Sequence, residues 1–244
     1  MANVTEFCYY MSMSTSVFFQ GGTLVIQQDE EQEPLPAPFR FIKGRWRCEG
    51  YHYRELQPQL RDLAIRDNVR RWQPLDVTLR EVREPHDYQL EALVAWDEAG
   101  RCGSIVLPTG AGKTFVAIQA IYRVKRSAVV VAPTIDLLHQ WYARLVNAFA
   151  TDVGVYYGGE KRVQALTVTT YHSAGDLMAA YGNTFKLIIF DEFSVIDQCK
   201  LTTTIFLYHL AYCIVSETAL VQVLPQKNLT RYVKALPSSI KYVS

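Results

Sequence analysis

The stretch Pro108-Thr109-Gly110-Ala111-Gly112-Lys113-Thr114 lies between an apolar run, Ser104-Ile105-Val106-Leu107, and an amphipathic one, Phe115 to Val124. Strand, glycine loop and helix in that order form the context that a phosphate cradle needs. Gly110 and Gly112 let backbone N–H groups approach a polyphosphate with no Cβ in the way. Lys113 supplies charge to the outer phosphates and Thr114 a hydroxyl for Mg²⁺, while Thr109 and Ala111 complete the loop. The helix N-terminus adds about half a positive charge aimed at the anion. A chance glycine turn before a helix is the competing explanation, and the flanking pattern disfavours it.

The surrounding chain alternates in the same way. Ile105–Leu107 precedes Phe115–Val124, Ala128–Ala132 precedes Ile135–Phe149, Leu166–Thr169 precedes His172–Ala180, and Val153–Tyr156 and Leu187–Phe190 read as further strands. Such alternation predicts an α/β fold, a parallel sheet with helices on both faces. Val129-Val130-Val131 and Leu187-Ile188-Ile189-Phe190 are unbroken apolar runs, as strands buried on both faces should be. This region extends from residue 75 to 192. Residues 1–74 predict a small mixed α+β domain before it. Val17–Gln28 reads as a hairpin around Gly21-Gly22, Phe39–Tyr53 as strand-like, and Leu56–Val69 as helical. Residues 193–244 change character, with only Asp197 and Glu217 acidic.

Composition narrows the setting. With 244 residues the chain can hold one large domain or two small ones, and at 49% apolar content it can bury a sizeable core. A net charge of +1 leaves no global field toward nucleic acid, so any such attraction is local. Five scattered cysteines without CxxC spacing indicate neither a disulfide framework nor a zinc site, which suits a reducing cytoplasm. No signal peptide is read at the N-terminus. Ile205–Val215 is apolar, but His209 interrupts it and it is shorter than the roughly 20 residues a membrane span needs.

A phosphate loop needs a second acidic site to hold Mg²⁺ through water. Asp191-Glu192, at the end of the apolar run Leu187–Phe190, fits: Asp191 for the metal and Glu192 to polarise the attacking water. Ligands of open α/β sheets gather at the carboxyl ends of strands, where both motifs fall. An acidic pair that merely ends a strand is the alternative. Gln89 carries a donor and an acceptor and can read an adenine edge; a solvated helix glutamine is the other reading, and its position upstream of the loop favours the first. Thr134, in Ala132-Pro133-Thr134, and Thr170, in Thr169-Thr170-Tyr171, each follow a strand and can meet a nucleic-acid phosphate. Tyr156-Tyr157-Gly158-Gly159-Glu160-Lys161 is a turn with a basic tip. Ordinary loops explain each of these equally well in isolation. In the first region Arg45 and Arg47, among nine basic residues, interleave with Phe39, Phe41, Trp46, Tyr51 and Tyr53. Arginines on phosphates and aromatics against bases would make a DNA surface; a half-buried sheet with a solvated arginine face is the alternative.

The order of these motifs resembles superfamily 2 helicases, which read T-G-x-G-K-T and do not need the earlier glycine whose place Leu107 takes. Within them the chain is most similar to XPB-like DNA repair helicases, prokaryotic forms especially, in Asp87-Tyr88-Gln89-Leu90, in Val106 to Thr114 and in Leu187 to Glu192. The resemblance covers roughly Phe18 to Glu192. It implies a RecA-like first motor domain, ATP and Mg²⁺, hydrolysis coupled to 3′-to-5′ DNA translocation, and an N-terminal domain that feels DNA distortion. It also leaves room for a repair or nuclease partner. A restriction-type DNA translocase subunit shares these motifs, and a DNA-binding remnant with an idle ATP site is the non-catalytic alternative.

The resemblance breaks after Glu192. Phe193-Ser194 stand where the family continues with valine and histidine, and neither its S-A-T motif nor a second RecA-like domain follows. The chain therefore reads as truncated. Loss of the arginine fingers that second domain supplies would cost about 10³–10⁵ in rate. A frameshift would explain the break. GAG-GTT minus one G reads Glu-Phe, and codons for Thr218 to Lys227 read from the third base permit Arg-Leu-Gly-x-Ser-Ala-Thr-Pro-Glu. A tail of that origin is expected to pack poorly and not to complete the sheet.

Overall fold

The structure, a computed structural model, describes residues 15–27, 35–80, 83–108, 110–191 and 212–217. It contains two sheets, one in each half of the chain. The first half folds as β1 (Ser16–Gln20), β2 (Thr23–Ile26), β3 (Arg40–Ile42), β4 (Arg45–Glu49), α1 (Tyr53–Asp62) and β5 (Arg66–Asp67), in the sheet order β3-β4-β2-β1-β5. Gly21 and Gly22 both have positive φ and join β1 to β2 with Gln20 opposite Thr23, a two-residue hairpin that non-glycine residues would strain. The strand-like stretch before Tyr53 is a second hairpin followed by one 3-10 turn.

The helix expected to reach Val69 stops at Asp62. Ala64 adopts φ 55°, its N–H donates to the Arg61 carbonyl, and the Ile65 N–H donates to that of Leu60. This paired closure caps the last carbonyls. It turns Ile65 back into the core and frees Arg66-Asp67 to pair with β1. Val17, Leu24, Ile26 and Cys48 pack from the sheet against Tyr53, Leu56 and Leu60 of α1.

The second half contains α2 (Asp87–Glu98), β6 (Cys102–Val106), α3 (Lys113–Val124), β7 (Ala128–Ala132), α4 (Ile135–Phe149), β8 (Val153–Tyr157), β9 (Glu160–Arg162), β10 (Leu166–Thr170), α5 (Tyr171–Tyr181), β11 (Leu187–Phe190) and β12 (Tyr212–Glu217). The sheet order is β6-β12-β11-β7-β10-β8-β9, every pairing parallel except β8 with β9. Ala128, Val130, Leu187 and Ile189 face one layer, which contains α3 and α4. Val129, Val131, Ile188 and Phe190 face the other, which contains α5. The apolar runs are unbroken because both faces are covered.

α4 shows how the sequence sets one of these layers. Leu138, Trp141, Leu145, Ala148 and Phe149 recur at helical spacing and are buried. The Thr134 side chain accepts the Leu137 N–H at 3.2 Å at the start, and Ala150 ends the helix in the left-handed region. Burying a leucine such as Leu138 or Leu145 stabilises by about 1.5–3 kcal/mol.

The expectation that the tail would not complete the sheet is corrected for Tyr212–Glu217. β12 fills the position between β6 and β11. Tyr212-Cys213-Ile214-Val215 is an apolar, β-branched run of the kind a central parallel strand requires. The remainder of the tail, with Phe193-Ser194 and the Thr218–Lys227 stretch, lies outside the described residues.

A strap from Val69 to Arg80 joins the two sheets. Asn183 Nδ2 donates to the Val69 carbonyl at 2.7 Å, and its own carbonyl accepts the Arg71 N–H. Gln73 accepts from Ser127, Leu75 donates to Lys125, and Arg80 donates to Ala148. Lys186 Nζ lies 3.8 Å from the centre of the Trp72 ring. Ser127, Asn183 and Lys186 precede β7 and β11, so the small sheet attaches at the amino edge of the large one. No described helix is long and apolar enough to cross a membrane.

Candidate functional site

The carboxyl edge of the large sheet carries the phosphate loop. Gly110 and Gly112 have φ of +81° and +82°, and Gly112 is the residue from which α3 starts. The first amides of α3 are thus directed out of the loop, and a Cβ built on Gly110 would meet nothing within 4 Å. Lys113 Nζ donates to the Leu107 carbonyl at 3.2 Å, spanning the loop from within. Thr114, the second residue of α3, is half-buried beside it. Thr109 lies outside the described residues.

Gln89 is fully buried, and both ends of its amide are engaged. Its Oε1 accepts the His86 N–H at 3.0 Å, and its Nε2 donates to the Ala111 carbonyl at 2.8 Å. A Cβ on Gly112 would stand 2.5 Å from that Nε2. Tyr88 Oη adds a second donor to the Ala111 carbonyl at 3.1 Å. Both ends of the amide expected to read adenine are thus engaged within the protein, and through them Gln89 clamps the start of α2 to the phosphate loop. Beside that clamp a cleft of about 410 Å³ opens, lined by Arg83, Thr114, Phe115, Arg144 and Asn147 among others. The Arg83 guanidinium stacks over the Phe115 ring, 4.6 Å from its centre. Sequence reasoning passed over these cleft residues, because nothing in their spacing joins residues from three separate segments.

Asp191 follows β11 at the same edge. Register places Phe190 level with Val215 and Val215 level with Ser104, so Asp191 and the loop rise from one edge, two strand spacings or about 10 Å apart. Asp191 is 8% exposed. Trp141 Nε1 donates to its Oδ2 at 2.6 Å, and Tyr171 Oη donates to its backbone carbonyl at 3.1 Å. Neither contact was legible in the sequence. Glu192 lies outside the described residues. No cluster of three or more His, Cys, Asp or Glu that could cage a metal occurs among the described residues. Mg²⁺ held with a polyphosphate needs only one or two carboxylates and a hydroxyl, and Asp191 and Thr114 offer that donor set.

Thr134 is exposed at the same edge, with its hydroxyl hydrogen still available after it caps α4. Thr170 is 8% exposed, so its side chain has little to offer a polymer; Tyr171 and His172 beyond it are more open. Arg45 and Arg47 are not part of this site, since their sheet attaches at the opposite edge. Arg47 donates to Thr23 Oγ1 and Gln20 Oε1, both neutral partners.

The sequence pattern of the family described as "Type III restriction enzyme, res subunit" matches residues 83–219, more than half of the chain. The chain belongs to that family. Within this restriction-subunit family its sequence is XPB-like. It is 39% identical over 145 residues to the DNA 3'-5' translocase XPB2 of Sulfurisphaera tokodaii, covering 59% of this chain and 33% of that protein. It is 34% identical over 140 residues to the putative DNA 3'-5' helicase Rad25 of Haloarcula marismortui, covering 54% of this chain and 21% of that protein. The chain thus spans about a third or less of the length of these curated relatives. A solved hypothetical ATP-dependent RNA helicase from Sulfolobus tokodaii shares the fold, with a TM-score of 0.51 at 19% identity over 66% of this chain and 53% of that one. The large sheet and its helices accordingly have a RecA-like α/β fold.

Proposed function

We propose that the chain is the ATP-binding motor domain of a DNA helicase or translocase acting in DNA repair. The observation that carries this reading is the shared edge: left-handed glycines open α3 at Lys113, and Asp191 stands at the same end of the same parallel sheet. Lys113 and the first amides of α3 take the outer phosphates, Thr114 and Asp191 hold Mg²⁺, and Glu192 orients the attacking water. The metal supplies charge that offsets the growing negative charge on the phosphoryl oxygens. The nucleoside lies in the cleft against Arg83 and Phe115, and Gln89 keeps the loop in shape beneath it. Thr134 and the Thr170-Tyr171 turn form the nucleic-acid track at the carboxyl edge.

The names of the relatives support DNA as the polymer, and several of them name DNA repair, which supports that setting. Residues 1–74 form a DNA-sensing domain in this reading, residues 75–192 the motor domain, and residues 193–244 a divergent tail. A cytoplasmic setting and a nuclease or repair partner complete it. The test is equilibrium binding of a fluorescent ADP analogue with Mg²⁺, and ATP turnover with and without single-stranded DNA, for the unaltered chain and Lys113→Ala. Binding should fall at least tenfold in the variant while the melting temperature holds. Equal binding by both proteins would overturn the proposal.

A further inference from the structure

Asp191 has two neighbours that belong to neither nucleotide motif. Trp141 lies two turns, about 10 Å, into α4, the helix that Thr134 caps. Its indole N–H is spent on Asp191 Oδ2 in a buried contact. Tyr171 is the first residue of α5, directly after Thr170, and its hydroxyl is spent on the Asp191 carbonyl. The two helices that open at the candidate nucleic-acid track are thus each fastened to the residue assigned to the metal. The fastening fixes both the carboxylate, through one oxygen, and the main chain that carries it.

We propose that Trp141 is the positioning residue through which nucleic acid bound at the start of α4 sets the orientation of the Asp191 carboxylate, with Tyr171 fixing the backbone behind it. The proposal rests on the motor reading above. A phosphate drawn to the N-terminus of α4 pulls on a helix whose indole is hydrogen-bonded to the metal ligand. A small movement of α4 therefore rotates the carboxylate, and linkage requires the converse: nucleotide with Mg²⁺ alters nucleic-acid affinity by the same factor.

The test uses the full chain, a fluorescent ADP analogue and a single-stranded oligodeoxythymidylate. The nucleotide Kd is measured with and without oligonucleotide, in Mg²⁺ and in EDTA, for the unaltered protein and for Trp141→Phe, which keeps an aromatic ring in the core. In Mg²⁺ the oligonucleotide should change the nucleotide Kd of the unaltered protein by about fivefold or more. The factor should fall toward one in Trp141→Phe, while nucleotide affinity in EDTA and oligonucleotide affinity alone stay within twofold. If Trp141→Phe does not fold, the indole N–H resonance of Trp141 in the unaltered chain decides. It is assigned by eliminating the other three tryptophans, Trp46, Trp72 and Trp96. Oligonucleotide without nucleotide should move it. An unchanged coupling factor in Trp141→Phe, a factor of one in the unaltered protein, or an indole resonance blind to oligonucleotide would overturn the proposal. Absence of any nucleotide binding by the unaltered chain would instead sink the motor reading on which it rests.

Discussion

Replacing Gly112 by alanine tests the clamp between α2 and the phosphate loop, and Gly110→Ala is its control. Both glycines have φ near +80°, so each alanine incurs the same backbone strain, about 1–2 kcal/mol. Their surroundings differ. The new methyl at 110 meets nothing within 4 Å, whereas at 112 it stands 2.5 Å from Gln89 Nε2. Gln89 is fully buried and cannot swing into water, so it must give up its bonds to His86 and Ala111. Each is worth about 0.5–1.5 kcal/mol. Gly112→Ala should therefore cost about 2–5 kcal/mol against about 1–2 for Gly110→Ala. In a Gln89→Ala background the clash has no partner, and adding Gly112→Ala should cost only the backbone term. Urea unfolding followed by tryptophan fluorescence measures the unaltered chain and the four variants. Equal costs at the two glycines, or a Gly112→Ala cost that Gln89→Ala leaves unchanged, would refute the clamp.

Arg47→Ala should weaken binding to DNA of any sequence and lower the slope of log affinity against log salt by about one, as loss of one phosphate contact requires; filter binding from low to moderate salt reads it, and an unaltered slope would remove Arg47 from the DNA surface. The small domain should also lose stability in alkali. Burial first, and Glu49 second, push the Cys48 thiol up to about 12 from its ordinary 9.0. Tyr53 is likewise raised, by burial first and then by its hydrogen bond to Asp67. Because both folded pKa values lie above the unfolded ones, this stability is complete below about pH 9. It is lost as pH rises toward 12. Circular dichroism of urea unfolding between pH 7 and 11 should show the decline, shallower in Cys48→Ala.

Much of the large domain was legible because its signals are local. Ala128–Ala132, Ile135–Phe149 and Leu187–Phe190 have the predicted bounds, since an unbroken apolar run or a helical stripe needs no knowledge of its partner. α1 was misjudged at its end, because Leu63 and Ile65 continue an apolar pattern while the chain has already turned at Ala64. β12 was missed because its run of apolar residues gains meaning only from the gap between β6 and β11. At the site, Lys113, Thr114 and Asp191 could be named from the sequence, and the structure places them at one edge of the sheet. The contacts Gln89 makes to His86 and Ala111 were not readable, since a glutamine's donor and acceptor suit a base and a peptide equally well.

The sequence by itself determined that a strand, a glycine bend and a helix start occur in succession and that an acidic residue ends another strand. Backbone conformation and one-dimensional spacing suffice for that. Tertiary structure alone decided that both stand at one edge of one sheet, that Arg45 and Arg47 belong to the other edge, and that Trp141 and Tyr171 converge on Asp191. Those contacts join residues from 20 to 50 positions apart. Only the packing of α4 and α5 on opposite faces of the sheet brings such residues within hydrogen-bonding reach.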